Sequence, residues 1–236
     1  DEFPCPHCGA ILNKRRMQRA WVNKYDSAIK ETVRQAKQVP VLINYTVGKT
    51  RAEKKPDDFD LALIEKIEES EIPYWFPTSP IPKGDKTGEP LRIGITHVHH
   101  FYTKRNFFVN VAFSERCRKN NTRALWITTA VTEGSSRLNR ERPFGLPSKL
   151  SGTLYVSSMI REINLIDFIS RKIQKYTSKG HYLDATISTY SLTQLEANSG
   201  NFDYIFLDPP FGSNINYSEL NFSWESWLKV WTNNKP

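Results

Sequence analysis

Apolar residues recur every three or four positions in several stretches of this chain, and in others they run together or alternate. The two periods predict different elements. Residues 57–71 read as an amphipathic helix: Asp57, Asp58 and Asp60 crowd its start, and Leu61, Leu63, Ile64 and Ile67 form its expected core face. Helical spacing also fits residues 103–119, and residues 162–176 through Ile163, Ile166, Ile169 and Ile173. Residues 124–131 are β-branched in composition, but no hairpin turn follows them, and a helix is favoured there. β-Branched or aromatic runs predict strands at 40–46, 92–100, 151–156, 186–190 and 202–207. Residues 14–38 are basic, polar and mostly helix-permissive. Between 72 and 90, five prolines and two glycines mark a long loop and the clearest internal boundary, so we divide the chain at 1–90 and 91–236. Within that loop Tyr74-Trp75-Phe76 is expected to serve as a hydrophobic plug, with base stacking as its alternative use.

The last of those strands ends in Asp208-Pro209-Pro210-Phe211-Gly212. Two consecutive prolines cannot continue a ladder, so the chain must leave a sheet at Asp208. A carboxylate, a proline carbonyl and an aromatic ring would then meet at the carboxyl end of a strand, the edge where open α/β sheets bind ligands. This set can grip a planar base with an exocyclic amino group: two oxygens accept its N–H bonds and Phe211 stacks on its face.

The string Asp203-Tyr204-Ile205-Phe206-Leu207-Asp208-Pro209-Pro210-Phe211-Gly212 resembles the catalytic motif of the S-adenosylmethionine-dependent amino-methyltransferases. Asn216-Tyr217-Ser218-Glu219-Leu220, Trp224-Glu225-Ser226-Trp227 and the segment Thr96-His97-Val98-His99-His100 resemble a bacterial adenine-specific DNA methylase group. The resemblance implies an α/β fold: part of a Rossmann-like methyltransferase sheet, an inserted mixed α+β target-recognition region and half a zinc ribbon. It implies methyl transfer to the amino group of adenine in DNA, with Asp208, Pro209, Pro210 and Phe211 as catalytic residues. S-adenosylmethionine would be the cofactor, and restriction–modification a setting for the activity.

A methyltransferase of this kind needs a glycine-rich turn for its cofactor, and none of the eleven glycines forms Gly-x-Gly. With only 25 residues after Phe211, we expect the cofactor-binding half to lie outside this chain, whose partner would then be the remainder of a parent polypeptide. A chain that starts at Asp1 inside a ribbon motif fits that expectation.

Charge adds a second partner. The net charge is +8, and residues 101–150 carry ten Lys/Arg against three acids. Lys104, Arg105, Arg137, Arg140 and Arg142 are the candidate phosphate contacts, and DNA the expected partner. An ordinary solvated basic face is the competing reading.

Cys5-Pro6-His7-Cys8-Gly9 is the tight turn of half a zinc ribbon, making Cys5 and Cys8 candidate metal ligands. Zinc wants four ligands, and this chain has no second Cys-x-x-Cys. In the methylase group it resembles, a first cysteine pair commonly lies upstream. A degenerate ribbon without metal is the alternative. His97 and His99 would share a strand face at a spacing compatible with a metal, but no third ligand is evident, which favours structural or phosphate-contacting histidines.

Three cysteines do not make a disulfide scaffold and suit a reducing cytosol. Neither a membrane-spanning apolar run nor a signal-peptide pattern is present. Two alternatives to the DNA enzyme stay open: a zinc-ribbon nucleic-acid-binding module without catalysis, and an RNA amino-methyltransferase.

Overall fold

The computed structural model describes residues 2–13, 15–120, 125–142, 148–177, 203–208 and 216–230. The strand expected at 186–190 and the motif residues Pro209, Pro210 and Phe211 lie outside them, as does the stretch 143–147 between Arg142 and Ser148.

Three two-stranded antiparallel hairpins come first: β1 (Glu2–Pro4) with β2 (Ile11–Asn13), β3 (Trp21–Asp26) with β4 (Glu31–Ala36), and β5 (Ile43–Val47) with β6 (Thr50–Lys54). Within the stretch read as helix-permissive, residues 21–36 therefore form a hairpin. Trp21, Val22, Tyr25, Thr32 and Val33 supply the β-prone side chains. The turn is set by Asp26, whose Oδ1 accepts the Ala28 N–H at 3.0 Å.

Helix α1 (Asp58–Glu69) starts where the sequence puts it. The Asp57 carboxylate accepts the Asp60 N–H and the Asp60 carboxylate accepts the Asp57 N–H, a reciprocal cap. Its inward face is Ile64 and Ile67 alone, both half-buried; Leu61 and Leu63 are exposed. A short helix α2 (Gly88–Leu91) closes the proline-rich loop. The segment after it is not the expected strand. Gly94 turns the chain at φ +82°, and a 3-10 turn follows at Val98–Phe101. A Cβ on Gly94 would come within 2.0 Å of the Arg34 carbonyl, so only glycine lets β4 lie this close. The Ala36 N–H then donates to the Ile93 carbonyl at 3.0 Å, which seats the β3–β4 hairpin on this turn.

The core is helical. It is built by α3 (Lys104–Lys119), α4 (Leu125–Gly134), α5 (Leu165–Thr177) and α6 (Tyr217–Leu228). Phe101, Tyr102, Phe107, Val111, Phe222 and Trp227 form the centre of one apolar cluster, into which Leu154 and Val156 insert. Ile127, Val131, Leu165 and Ile169 form a second. Residues 151–156 pair with no strand, yet Leu154 and Val156 keep the alternating inward positions of the strand expected there.

Residues 203–208 are exposed and form no strand with the other described residues, unlike the strand expected over 202–207. Tyr204, Ile205, Phe206 and Leu207 are each at least 60% exposed, an unusual state for four successive large apolar side chains. Among the described residues the sheets are antiparallel pairs, and no parallel ladder occurs. No helix among them is long and apolar enough to cross a membrane.

Candidate functional site

Asp26, at the end of β3, reaches the 3-10 turn 73 residues further on. Its Oδ2 lies 2.6 Å from His99 Nε2 and 2.7 Å from His100 Nε2. The backbone N–H of Thr96 donates to His100 Nδ1 at 3.2 Å, which leaves the His100 hydrogen on Nε2, facing the carboxylate. All three side chains are at most 15% exposed. Burial pushes both histidines down, His100 to about 4, against the opposing pull of Asp26. Burial also pushes Asp26 up, but the hydrogen bonds from His100 and His99 outweigh it and hold the carboxyl at about 2. Near neutral pH the cluster is one carboxylate between two neutral imidazoles. His99 Nδ1 is buried with no hydrogen-bond partner among the described residues. The ring of His97 lies 5.3 Å from that of His100 and 5.7 Å from that of His99.

The sequence brought His97 and His99 forward and missed both His100 and Asp26. The 3-10 turn replaces the strand on which His97 and His99 would have shared a face, so His100 joins His99 instead. Asp26 was hidden because its hairpin had been read as helix-permissive. The turn-forming Asp26-Ser27 between β-branched and aromatic runs was the available signal.

Cys5 and Cys8 occupy the turn between β1 and β2. The Gly9 N–H donates to the Cys5 carbonyl at 2.9 Å with Gly9 at φ +72°, and the Cys5 N–H donates to the Ala10 carbonyl at 2.8 Å. This knuckle brings the two thiols within hydrogen-bonding reach. The backbone N–H groups of His7 and then Cys8 pull the Cys5 thiol below its ordinary range, followed by the Cys8 thiol itself. Cys117 is buried on α3. Two thiolates are half a zinc site, so replacing Cys5 and Cys8 together with serine is expected to leave the chain's zinc affinity nearly unchanged. Calorimetric titration of both proteins checks this; zinc binding that vanished with the cysteines would place further partners for them within this chain.

Asp208 ends the exposed segment 203–208 and is itself exposed. Helix α6 begins at Tyr217, shortly after the proline motif, and its start is held firmly. The Glu219 carboxylate accepts backbone N–H bonds from Asp85, Lys86 and Thr87 at 2.7 to 3.2 Å, and Asn216 Nδ2 donates to it at 2.9 Å. Beside α6 lies a cavity of about 320 Å³, lined among others by Tyr102, Glu133, Lys149, Leu154, Tyr217 and Trp224. Lys149 pairs with Glu133 and sits 5.3 Å from the centroid of the Trp224 ring. Aromatic walls with an ion pair at the side suit a flat, polar-edged ligand.

The five basic candidates are not equivalent. Arg142 is exposed, with Nη1 donating to Ser148 Oγ at 3.2 Å, and Lys104 is half-buried in the first turn of α3. Arg105 makes a two-pronged ion pair with Glu162, at 2.6 and 3.1 Å. Arg137 and Arg140 bury Nε without a partner among the described residues, and burial pushes the Arg137 guanidinium down against the charges of Glu68 and Glu162. Phe76 plugs the core edge-on to Phe107 at 5.0 Å. Its neighbour Trp75 stays exposed, with Arg118 and Lys229 cations 4.5 and 4.0 Å from its ring centroid. The plug expected of the three aromatics is therefore Phe76 alone.

No protein-family model matches this chain, and neither do the curated proteins or the solved structures compared with it.

Proposed function

We propose that this chain is the target-recognition and motif-bearing part of an S-adenosylmethionine-dependent DNA adenine methyltransferase. The observation that carries the reading is the string from Asp203 to Gly212, an apolar run delivering Asp-Pro-Pro-Phe. The exposed side chains of Tyr204, Ile205, Phe206 and Leu207 support it, because such a run becomes stable as an inner strand when neighbouring strands cover it. In this reading the cofactor turn, for which this chain has no Gly-x-Gly, belongs to the polypeptide that supplies those neighbours. The aromatic cavity beside α6 supports it as well, since it lies against the helix that follows the motif.

In this reading a flipped adenine lies with its amino group at Asp208 and the Pro209 carbonyl, and Phe211 stacks on the ring. Two accepted hydrogen bonds orient the nitrogen toward the methyl sulfonium, and the surplus proton departs after transfer. The deciding experiment joins this chain to a cofactor-binding half and measures transfer of labelled methyl groups from S-adenosylmethionine to duplex DNA. The isolated chain should neither bind the cofactor nor methylate; stoichiometric cofactor binding to it in calorimetry would overturn the division of labour. DNA binding without transfer by the joined protein would favour the non-catalytic module, and transfer to RNA alone the RNA enzyme.

The DNA contact has its own test, refined by the placement of the arginines. Lys104 and Arg142 are accessible enough to meet phosphates, whereas Arg137 buries its Nε and Arg105 is committed to Glu162. Replacing Lys104 and Arg142 with glutamate should weaken binding to every duplex sequence alike. It should lower the slope of log affinity against log salt by about 2, one per lost phosphate contact. Titrations at several salt concentrations check it, and an unchanged slope would return the stretch to a solvated basic face.

A further inference from the structure

We propose that Asp26, His99 and His100 form a binding site for a zinc-class divalent metal that clamps the β3–β4 hairpin to the 3-10 turn. The site is independent of the methyltransferase reading and of the cysteine knuckle.

Convergence is the first observation. One donor atom from each of the three residues lies within 4.8 Å of the other two, although Asp26 is more than seventy residues from the histidines. Side chains of adjacent residues on a 3-10 turn normally diverge. Here the rings of His99 and His100 are 4.3 Å apart between centroids, and both turn Nε2 to the same carboxylate oxygen.

The donor set is the second. Two neutral imidazoles and one carboxylate are the three protein ligands of an open zinc site, with a fourth position left for water or another donor. The same set also suits other first-row ions, and zinc binds nitrogen and oxygen donors of this kind more tightly than manganese or iron(II). The three side chains are desolvated, and one negative charge is in place to offset part of the cation's.

The third is that the hydrogen bonds can rearrange. Oδ2 now stands 2.6 and 2.7 Å from the two nitrogens, with a hydrogen on each Nε2. Metal bonds of roughly 2.0–2.1 Å in a tetrahedron need donors about 3.3 Å apart, so the ligands must spread by about 0.6 Å as the ion replaces those hydrogens. Each histidine moves its hydrogen from Nε2 to Nδ1, and no net proton is released. At His100 the new Nδ1–H faces Thr96 Oγ1, 3.2 Å away, which can accept it. The Thr96 N–H loses its acceptor in the exchange, and the new Nδ1–H of His99 is buried without an acceptor among the described residues, two costs that count against affinity.

The test uses the whole chain with Cys5 and Cys8 replaced by serine, stripped of metal with a chelator and titrated with zinc chloride. One zinc per chain should bind. A hundredfold excess over Kd should raise Tm by several degrees, because the metal ties the hairpin to the core only in the folded state. Long-range ¹H–¹⁵N spectra of the histidines should show His99 and His100 changing from the Nε2–H to the Nδ1–H tautomer, a readout that needs no substitution at the site. Asp26→Asn keeps an oxygen for the histidines but loses the charge, and should weaken binding about 100-fold or more, beyond the usual loss for an outer-shell partner. A chain lacking Cys5 and Cys8 that binds no zinc would overturn the proposal. So would zinc that binds without the tautomer change, or with equal affinity after Asp26→Asn.

Discussion

Replacing Asp208 with alanine should cut methyl transfer by at least about 10²–10³-fold in a polypeptide that joins this chain to a cofactor-binding half, while DNA affinity stays nearly unchanged. The size follows from what the carboxylate does in the proposed site. An aromatic amino group is a poor nucleophile because its lone pair is shared with the ring. A fixed acceptor beside it orients the nitrogen and stabilises the positive charge that grows there as the methyl group arrives. Removing one preorganised electrostatic partner of this kind typically costs that factor in kcat. DNA affinity rests on many phosphate contacts elsewhere, so it is spared. Asp208→Asn separates the two contributions: it keeps an acceptor oxygen but removes the charge, and should fall between wild type and alanine. Single-turnover transfer of labelled methyl groups, with binding titrations on the same proteins, makes the comparison. An alanine variant that kept most of its turnover would remove Asp208 from the chemistry.

Helices were the most legible elements of this chain because their period is local, but the buried face was not: Leu61 and Leu63 of α1 and Ile166 and Ile173 of α5 are exposed. The acidic start of α1, the stretch that forms α3 and the β-branched run of α4 match the helices expected from sequence, though the reciprocal cap of Asp57 and Asp60 is a finding of the structure. Alternation was less informative. In residues 151–156 it marked Leu154 and Val156 as inward-facing, which they are, but facing inward needs only a neighbouring core, whereas a strand needs a partner edge. Residues 92–100 failed as a strand because of a close approach that no local pattern encodes: the β4 backbone at Arg34 occupies the space beside Gly94. The Asp26 cluster failed for the same kind of reason. Its histidines lie next to one another in sequence, but their shared partner arrives from a distant hairpin turn, and only tertiary packing brings it there.

Helix α6 links the stability of the core to the motif that precedes it, and Trp227 is where the link is strongest. Its side chain is 1% exposed, stands edge-on to Tyr102 and Phe107 with ring centroids 5.8 Å away, and donates from Nε1 to the Tyr102 hydroxyl at 3.0 Å. Its carbonyl accepts the Arg118 guanidinium. Trp227→Ala should therefore cost about 3–5 kcal/mol, through lost burial and the cavity left between α3 and α6. At about 2–4 °C per kcal/mol for a chain of this size, Tm should fall by roughly 10 °C. Tyr102→Phe removes only the hydroxyl. It takes away the acceptor of the indole N–H, and should cost about 1–3 kcal/mol if that group stays buried unpaired. Once the indole has gone, the same tyrosine substitution should cost less, because the hydroxyl it removes has already lost that donor and keeps its hydrogen bond with Ser223. Urea unfolding of the two single variants and the double variant measures the coupling. A Trp227→Ala protein within about 1 kcal/mol of wild type would mean that α6 is not anchored to this core, and that the cavity beside it is not held in one shape for a ligand.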